Sequence, residues 1–354
     1  MPVAWMRIST GAAGAGCLFM MWKLNADWPL SFVAVFFEIV FDALPFLLLG
    51  AFVSALLETF VSDRYVQMLA PKNRLGGVLF GSLLGLALPL CECGMIPVAR
   101  RLIRKGLPAY IGLAYIVAGP IVNPIVFGST LVAFRANPGI AYARMLLALA
   151  VALAAGLVLA LFLRRSPLRE PDGETHGHLD HGHHDHGRPH HHHDHGHHHH
   201  HDHHNHDHAH SHGHGRGLKG RLAAIFSHTA EDMQDMGKYL LLGAALTGAI
   251  QSILRPETLT AAAGHNVWSH VFLMGFAYFL SLCSTSDAFI AASLGSIFHP
   301  GALLAFLVFG PMLDLKTTLM MLSTFRRSFV WKFAALLAVL VLAGSIAIEK
   351  SGWL

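Results

Sequence analysis

The long apolar windows of this chain, and the scarcity of charge within them, constrain its fold more than any other feature. Of the 354 residues, 54% are hydrophobic and only 13% are Asp, Glu, Lys or Arg, about half the charged share of an ordinary soluble domain. Such a chain lacks the charge that a water-exposed surface needs, which disfavours a cytosolic enzyme, a secreted disulfide-rich module and a nucleic-acid-binding protein. The composition therefore predicts a membrane protein.

Eight windows reach the length of about 20 mostly apolar residues that a spanning helix needs. The predicted fold is an all-α polytopic membrane protein with about eight transmembrane helices. A ninth stretch, residues 11–22, is short for a span and is interpreted as an interfacial segment. The eight windows lie near residues 31–61, 75–100, 107–134, 139–163, 233–254, 267–295, 301–323 and 329–348.

A histidine-rich segment separates the fourth window from the fifth. Between His176 and His214 lie 23 of the 27 histidines. The segment has too few apolar residues to fold alone, so it is predicted to be disordered without metal. Neutral imidazole binds Zn(II), Cu(II) and Ni(II), which predicts many weak sites that gather, buffer or sense metal. Its densest part contains His190, His191, His192, His193, His195, His197, His198, His199, His200 and His201.

These features divide the chain into four parts. Residues 1–30 form an N-terminal segment, and residues 31–163 form a first membrane half of about four helices. Residues 164–232 form the metal-binding loop, and residues 233–354 form a second half of about four helices. The sequence thus predicts two pseudo-symmetric membrane halves joined by a disordered His-rich loop.

Basic residues set the predicted orientation. The turn at residues 100–105 carries three arginines and a lysine, and the positive-inside rule makes such a loop cytoplasmic. Eight simple spans place the His-rich loop and both termini on that side as well. They also place Arg326, Arg327 and Lys332 outside, which conflicts with the same rule. Either a re-entrant segment or an odd number of spans would remove this conflict.

The two halves carry matching motifs, which point to a site at their interface. A Gly-Pro pair inside an apolar window breaks a helix, and an Asn or Asp one turn later either lines a substrate path or caps a half-helix. Matching interrupted segments are the best sequence indication of a transport site. The first half has Cys91, Glu92 and Cys93, then Gly119, Pro120 and Asn123; the second has Cys283 and Asp287, then Gly310, Pro311 and Asp314.

Sulfur and carboxylate side chains at these motifs are the candidate ligands. The thiols of Cys91, Cys93 and Cys283 and the thioether of Met95 are soft ligands that select Cu(I), Zn(II) or trivalent arsenic. Plain packing is the alternative for any single cysteine. Charges inside a bilayer are costly, so Glu92, Asp287 and Asp314 are candidates to bind a cation or to exchange a proton.

A glycine repeat in the second window indicates close helix packing. Gly77, Gly81 and Gly85 recur every four residues, so one face of this helix has no side chains to hold a neighbour away. We interpret this face as structural.

In combination, these motifs resemble those of the bacterial predicted-permease family, which includes organoarsenical efflux permeases. The resemblance covers roughly residues 35–345 without the His-rich loop and looks closest to a copper/zinc efflux branch. It implies a multi-pass inner-membrane permease that exports soft metal ions, with the membrane cysteines as ligands. The residues that carry it are Cys91, Cys93, Gly94, Ile96, Pro97 and Val98, the turn from Arg100 to Gly106, Gly119, Pro120 and Asn123, residues 287–292, and Gly310 to Asp314.

The predicted function is therefore that of a secondary transporter, not an enzyme. Copper or zinc is its substrate and loop ligand, and no cofactor is required. The predicted partners are the lipid bilayer and either a metallochaperone or a second copy, without nucleic acid. No phosphate-binding loop of the Walker type occurs, so ATP drive would need another subunit. Three alternatives stay open: efflux of trivalent arsenic or organoarsenicals, import in place of export, and a membrane thiol oxidoreductase using Cys91 and Cys93.

Overall fold

A computed structural model describes residues 28–71, 73–87, 90–163, 167–168, 218–253 and 266–353. Within these ranges the regular structure is helical, apart from one isolated bridge between Leu168 and Phe325. The prediction of an all-α fold is thereby confirmed. The proposed interfacial stretch at residues 11–22 and the His-rich loop, including His190 to His201, lie outside the described residues.

The described residues form thirteen α-helices, arranged as seven before the His-rich loop and six after it. The first group is α1 (Trp28–Phe60), α2 (Asp63–Leu69), α3 (Arg74–Ala87), α4 (Glu92–Arg104), α5 (Ala109–Ala118), α6 (Pro124–Ala133) and α7 (Gly139–Phe162). The second group is α8 (Leu218–Ile253), α9 (Asn266–Leu280), α10 (Ser286–Ser293), α11 (Pro300–Met312), α12 (Leu315–Thr324) and α13 (Arg327–Lys350).

The prediction of eight continuous spans is not confirmed. Four of the predicted windows are each divided into two shorter helices: α3 and α4, α5 and α6, α9 and α10, and α11 and α12. By length and composition, four segments within the described ranges can cross a membrane; one of them contains the interruption between α11 and α12. These segments are Phe32–Phe60, Gly139–Phe162, Pro300–Thr324 and Arg327–Lys350.

Helices α3 and α4 form a hairpin that turns back inside the bundle. Gly77 of α3 packs against Tyr110 at the start of α5, and Gly85 packs against Gly119 just after α5, so α3 and α5 run in the same direction. Met95, near the start of α4, also contacts Gly119. The end of α3 and the start of α4 therefore lie at the depth where α5 gives way to α6, and this hairpin is re-entrant.

The turn at residues 100–105 and the start of α13 lie at one end of the bundle, here called the basic end. Arg100 Nη1 is 3.6 Å from Asp235 Oδ2 of α8. One residue further along α8, Met236 Sδ accepts a hydrogen bond of 3.7 Å from Ser323 Oγ of α12. The backbone N–H of Arg326 donates to Pro167 O, beside the exit of α7. Residues 100–105 and Arg326 thus share one end, contrary to the eight-span expectation.

The second half repeats the arrangement in the opposite direction. Helix α13 has 24 residues and is about 36 Å long. At its far end, Glu349 Oε2 lies 3.0 Å from Nε2 of His270, near the start of α9, and also faces Gly301, at the start of α11. Helices α9 and α11 then run in parallel, with Phe276 and Phe306 in ring contact. Hairpin α9–α10 therefore enters from the far end, whereas α3–α4 enters from the basic end.

Helix packing also pairs corresponding helices of the two halves. Helix α1 packs on α8, and α7 packs on α13, so the outer helices meet their counterparts. Two further pairs join helices from different halves: α4 packs on α12, and α10 packs on α6. The second helix of each hairpin thus contacts the other half, whereas the first helix packs within its own half, α3 on α5 and α9 on α11.

The burial pattern is that of a membrane protein. Phe41 and Trp331 are 69% and 59% exposed, whereas Arg144 and Asp314 are each 1% exposed. Apolar side chains on the outside suit a lipid environment, and intramembrane charges normally face the bundle interior. The polar interior is therefore where a substrate path is expected.

The re-entrant topology predicts which loops share a side of the membrane. In separate Arg104→Cys, Arg326→Cys and Trp353→Cys variants, we expect the first two to react alike with an impermeant maleimide and the third to react from the opposite side. Reactivity is measured in intact and permeabilised cells against the parent chain. If Arg104→Cys and Trp353→Cys share a side and Arg326→Cys does not, eight simple spans are correct and the hairpins are wrong.

Candidate functional site

The two hairpin tips meet at mid-depth around one lysine. Lys316, in the first turn of α12, lies with its Nζ 3.6 Å from Oε1 of Glu92, just past the first tip. The same Nζ is 3.5 Å from the carbonyl oxygen of Ser281 at the second tip. Lys316 therefore connects residues from both halves, although sequence reasoning did not select it.

The cysteines lie at these tips. Cys91 precedes the first turn of α4 and is half-buried, whereas Cys93 is fully buried. The two thiols are close enough to each other to interact electrostatically. Cys283 is half-buried at the second tip and accepts a hydrogen bond of 3.6 Å from Thr285 Oγ1. The structure thus brings Cys91 and Cys93 together and places Cys283 on the facing hairpin.

The thiols do not form a closed metal site in this conformation. Within the described parts of the chain, no three His, Cys, Asp or Glu side chains are grouped so as to hold a metal ion. The three-thiol group expected from the sequence is therefore not assembled here. Cys91 and Cys93 lie at one tip, and Cys283 lies at the other.

The Met95 side chain packs at the break between α5 and α6. Its side chain is fully buried, and its Sδ and Cε fill the space that a side chain at position 119 would need. The predicted thioether ligand is thus packed against Gly119, at the break between α5 and α6.

A buried carboxylate pair surrounds Lys316. Its ammonium is 3.6 Å from Asp314 Oδ2 as well as from Glu92 Oε1. All three side chains are at least 95% buried. Glu92 Oε2 and Asp314 Oδ2 accept no hydrogen bond from the described residues. The cluster therefore combines two acidic groups with one basic group, and its polar atoms are incompletely paired.

A second buried ion pair joins the halves beside the second hairpin tip. Arg144 of α7 approaches both carboxylate oxygens of Asp287 at 3.1 Å. It also donates to Thr130 Oγ1 at 2.8 Å and to the carbonyl of Ser284 at 3.0 Å. Asp287, selected from the sequence as a cation or proton site, is thus engaged by an arginine that sequence reasoning missed.

The two Gly-Pro motifs place a cap at the start of each following half-helix. Asn123 Oδ1 accepts from the backbone N–H of Ile125 at 2.8 Å and caps α6. Asp314 Oδ1 accepts from the backbone N–H of Thr317 and caps α12. Gly119 and Pro120 directly follow α5, whereas Gly310 and Pro311 lie inside α11, which continues to Met312. The second break therefore comes after the Gly-Pro pair.

The helix that follows the His-rich loop is tied to the helix that carries the thiols. Asp232 of α8 is 3.3 Å from Nη2 of Arg101 in α4 and accepts a hydrogen bond of 2.8 Å from Ser54. Helix α4 begins at the thiol pair and ends at these contacts. These contacts therefore hold α8 against the end of α4 that is opposite the thiols.

Comparison with known proteins identifies the family of this chain. The sequence pattern of a family described as predicted permease matches residues 30–350. The chain belongs to the predicted permease family. This permease is 38% identical over 316 residues to the UPF0718 protein YcgR of Bacillus subtilis, covering 89% of this chain and 96% of that protein.

A second relative comes from Streptococcus mutans and is provisionally named a subunit of a two-component membrane permease complex. It is 30% identical over 314 residues, which cover 88% of the permease described here and 93% of the relative. No solved structure matches the chain. The permease family inferred from the motifs is confirmed, whereas its copper/zinc branch stays a prediction because neither relative's name states a substrate.

Proposed function

We propose that this permease exports a thiophilic metal ion, which Cys91 and Cys93 hold at one hairpin tip and Cys283 receives from the other. The observation that carries the proposal is the position of the three cysteines, with Cys91 and Cys93 at the tip of one hairpin and Cys283 at the tip of the facing one. Soft sulfur ligands select Cu(I) and Zn(II) over hard cations such as Mg²⁺. Cys283 supplies a ligand from the second half, which must move away from the first half during transport.

The opposed hairpins provide a route for alternating access. Because one hairpin enters from the basic end and the other from the far end, rocking of the halves opens the tips to one end at a time. A metal ion bound by Cys91 and Cys93 passes to a site shared with Cys283 as the tips approach each other. It leaves when the far end opens.

The His-rich loop favours copper and zinc as substrates and export as the direction. The loop joins α7 to α8 at the basic end, which the positive-inside rule assigns to the cytoplasm. Many exchangeable imidazole sites there would gather metal before transport. Imidazole takes up protons below about pH 6.5, so this gathering should weaken in acid.

The proposal is tested by the metal content of cells that express defined variants. We expect the Cys91→Ser/Cys93→Ser variant to accumulate copper or zinc to the level of cells without the protein, because its metal ligands are gone. A variant lacking residues 172–216 should retain reduced export, since the loop gathers metal without lining the path. Inductively coupled plasma mass spectrometry gives both results. Unchanged copper and zinc in the cysteine variant would exclude the sulfur site.

A trivalent organoarsenical is the second candidate substrate, because an arsenic atom that carries one carbon group binds two thiols and needs no third ligand. Arsenic resistance of the same variants separates it from copper and zinc. A thiol oxidoreductase is the third candidate, and redox cycling of Cys91 and Cys93 without metal dependence would support it. A second membrane subunit is a proposed partner, because one relative is named as part of a two-component complex.

A further inference from the structure

Two ion pairs at the basic end connect α4 of the first half to α8 of the second half. Nη2 of Arg101 in α4 lies 3.3 Å from Oδ1 of Asp232 in α8. About one turn further along α8, Oδ2 of Asp235 lies 3.6 Å from Nη1 of Arg100. These two contacts are here called the α4–α8 pairs. Because α4 begins at the thiols and ends at these contacts, the pairs join the halves on the basic-end side of the thiols.

The α4–α8 pairs can separate without leaving a buried charge alone. When α4 and α8 move apart, Arg101 keeps Glu58 of its own half, whose Oε2 lies 3.8 Å from Nη1. Asp232 keeps its hydrogen bond of 2.8 Å from Ser54. The second pair contacts water, because Asp235 is 56% exposed, and exposed ion pairs contribute little to stability. Contacts that join two halves and separate at low cost are suited to a gate.

A motif that occurs once in each half relates α8 to α1. Residues 38–51 of α1 read Glu-x-x-x-Asp-x-x-x-Phe-Leu-Leu-Leu-Gly-Ala, and residues 231–244 of α8 read the same apart from Tyr in place of Phe. Asp42 in α1 is thus the counterpart of Asp235 in α8. Glu58 lies at the basic end beside Arg101, so Asp42, earlier in the same helix, lies about 24 Å toward the far end. The two carboxylates therefore occupy equivalent positions at opposite ends of the bundle.

The far end lacks the basic residues that complete the α4–α8 pairs. The matching cysteines of the two hairpins align residues 100–101 with Ala292 and Ser293, which carry no charge. Among the described residues, Asp42 is exposed and forms no salt bridge. Its carboxylate nevertheless lies close enough to Cys283 to interact electrostatically. An exposed carboxylate therefore lies on the far-end side of the second tip, in the place where the basic end has an ion pair.

We propose that the α4–α8 pairs are a gate that closes the permease at its basic end, whereas the far end has no equivalent lock at Asp42. In the empty protein the tips are therefore reached from the far end, past Asp42. Entry of a substrate from the basic end requires α4 to separate from α8, which breaks both pairs. The inference holds for any substrate, since it depends on charges within the protein and not on the metal ion.

The test measures from which end a water-soluble thiol reagent reaches the tips. The reagent is 2-(trimethylammonium)ethyl methanethiosulfonate, which cannot cross a bilayer; it forms a mixed disulfide with a thiol and releases methanesulfinic acid. It is applied to sealed membrane vesicles of each orientation that contain the full-length protein without added metal. Mass spectrometry of the peptides gives the rates for Cys91 from the basic end and Cys283 from the far end. In the unchanged protein, we expect Cys283 to react about tenfold faster, and equal rates would overturn the closed basic end.

Asp232→Asn should raise the basic-end rate of Cys91 by about tenfold, because Arg101 loses its partner on α8. The far-end rate of Cys283 should not rise, since the halves open at one end only. Asp63→Asn is the matched control: it removes the 3.6 Å contact between Lys105 and Asp63, which lie in the same half, and should change neither rate. No rise at Cys91, or an equal rise at both cysteines, would show that the pairs are not a gate.

Charge reversal at the exposed pair provides an independent test. Asp235→Arg places two arginines opposite each other and should raise the basic-end rate of Cys91, whereas Arg100→Asp/Asp235→Arg restores the attraction and should return it to that of the unchanged protein. This comparison decides the question if Asp232→Asn does not fold, and a double variant as reactive as the single one overturns the gate. Because no metal is added, a failure of metal transport leaves these rates unchanged and is distinguished from a failure of the gate.

Discussion

Replacing Arg144 with methionine should destabilise the folded permease by about 3–5 kcal/mol, because the Asp287 carboxylate would remain buried without its partner. Arg144 and Asp287 are 1% and 4% exposed as side chains. The arginine also binds Thr130 and the carbonyl of Ser284. It thereby fastens α7 of the first half to the hairpin of the second. Thermal unfolding of the purified protein in detergent measures the loss.

The matched control is the double variant Arg144→Met/Asp287→Leu. Replacing both partners of a buried ion pair with apolar residues of similar volume is often neutral, whereas removing one leaves an uncompensated charge. We therefore expect the double variant to recover most of the lost stability. A single variant within about 1 kcal/mol of the unchanged protein would show that the pair is not the main tie between α7 and α10.

A second large loss of stability is expected for Gly50→Ala. A Cβ atom at this position of α1 would overlap the backbone of Gly94 in α4, including its Cα and carbonyl oxygen. Backbone cannot rotate aside as a side chain can, so the two helices must separate. We expect a cost of about 3 kcal/mol. Because α4 begins at the thiol pair, the same change should also reduce transport.

Gly128→Ala is the control for the glycine substitution. Gly128 lies inside α6, and a Cβ atom there would meet nothing within 4 Å. Alanine favours helix by up to about 1 kcal/mol over glycine, so this variant should be neutral or slightly stabilised. Denaturation curves measured in the same detergent give the free energies of unfolding of both variants. Equal stability of the two would mean that α1 and α4 do not pack backbone to backbone.

Much of the helical architecture could be predicted from sequence, because helix formation and burial depend on local composition. The apolar windows predicted helices, and the repeated motifs predicted two related halves with interrupted segments. Gly77, Gly81 and Gly85 predicted a close helix contact, which the structure places against α5. Hydropathy alone, however, cannot separate a crossing from a hairpin that turns back, because both are continuous apolar runs. The direction of each arm depends on contacts between distant residues.

The residues of the candidate site were predicted less completely from the sequence than the helices were. Glu92, Asp287 and Asp314 were selected because charge inside a bilayer is costly. The same argument applies to Lys316 and Arg144, single basic residues in apolar windows, and would have found them. Met95 was selected because of its spacing from the cysteines. Its side chain packs against Gly119, a residue distant in sequence, and spacing does not reveal such a contact. Spacing identifies which residues are close in sequence, whereas packing decides where each side chain points.

The most direct test of the central claim is transport by the purified permease in sealed lipid vesicles. Vesicles containing the unchanged protein should move Cu⁺ or Zn²⁺ across the membrane with a saturable rate. The Cys91→Ser/Cys93→Ser variant should match empty vesicles. The control is Cys17→Ser, at the one cysteine of the sequence outside the two repeated motifs, and it should retain the full rate. Equal transport by the double cysteine variant and the unchanged protein would contradict a thiol site between the two hairpin tips.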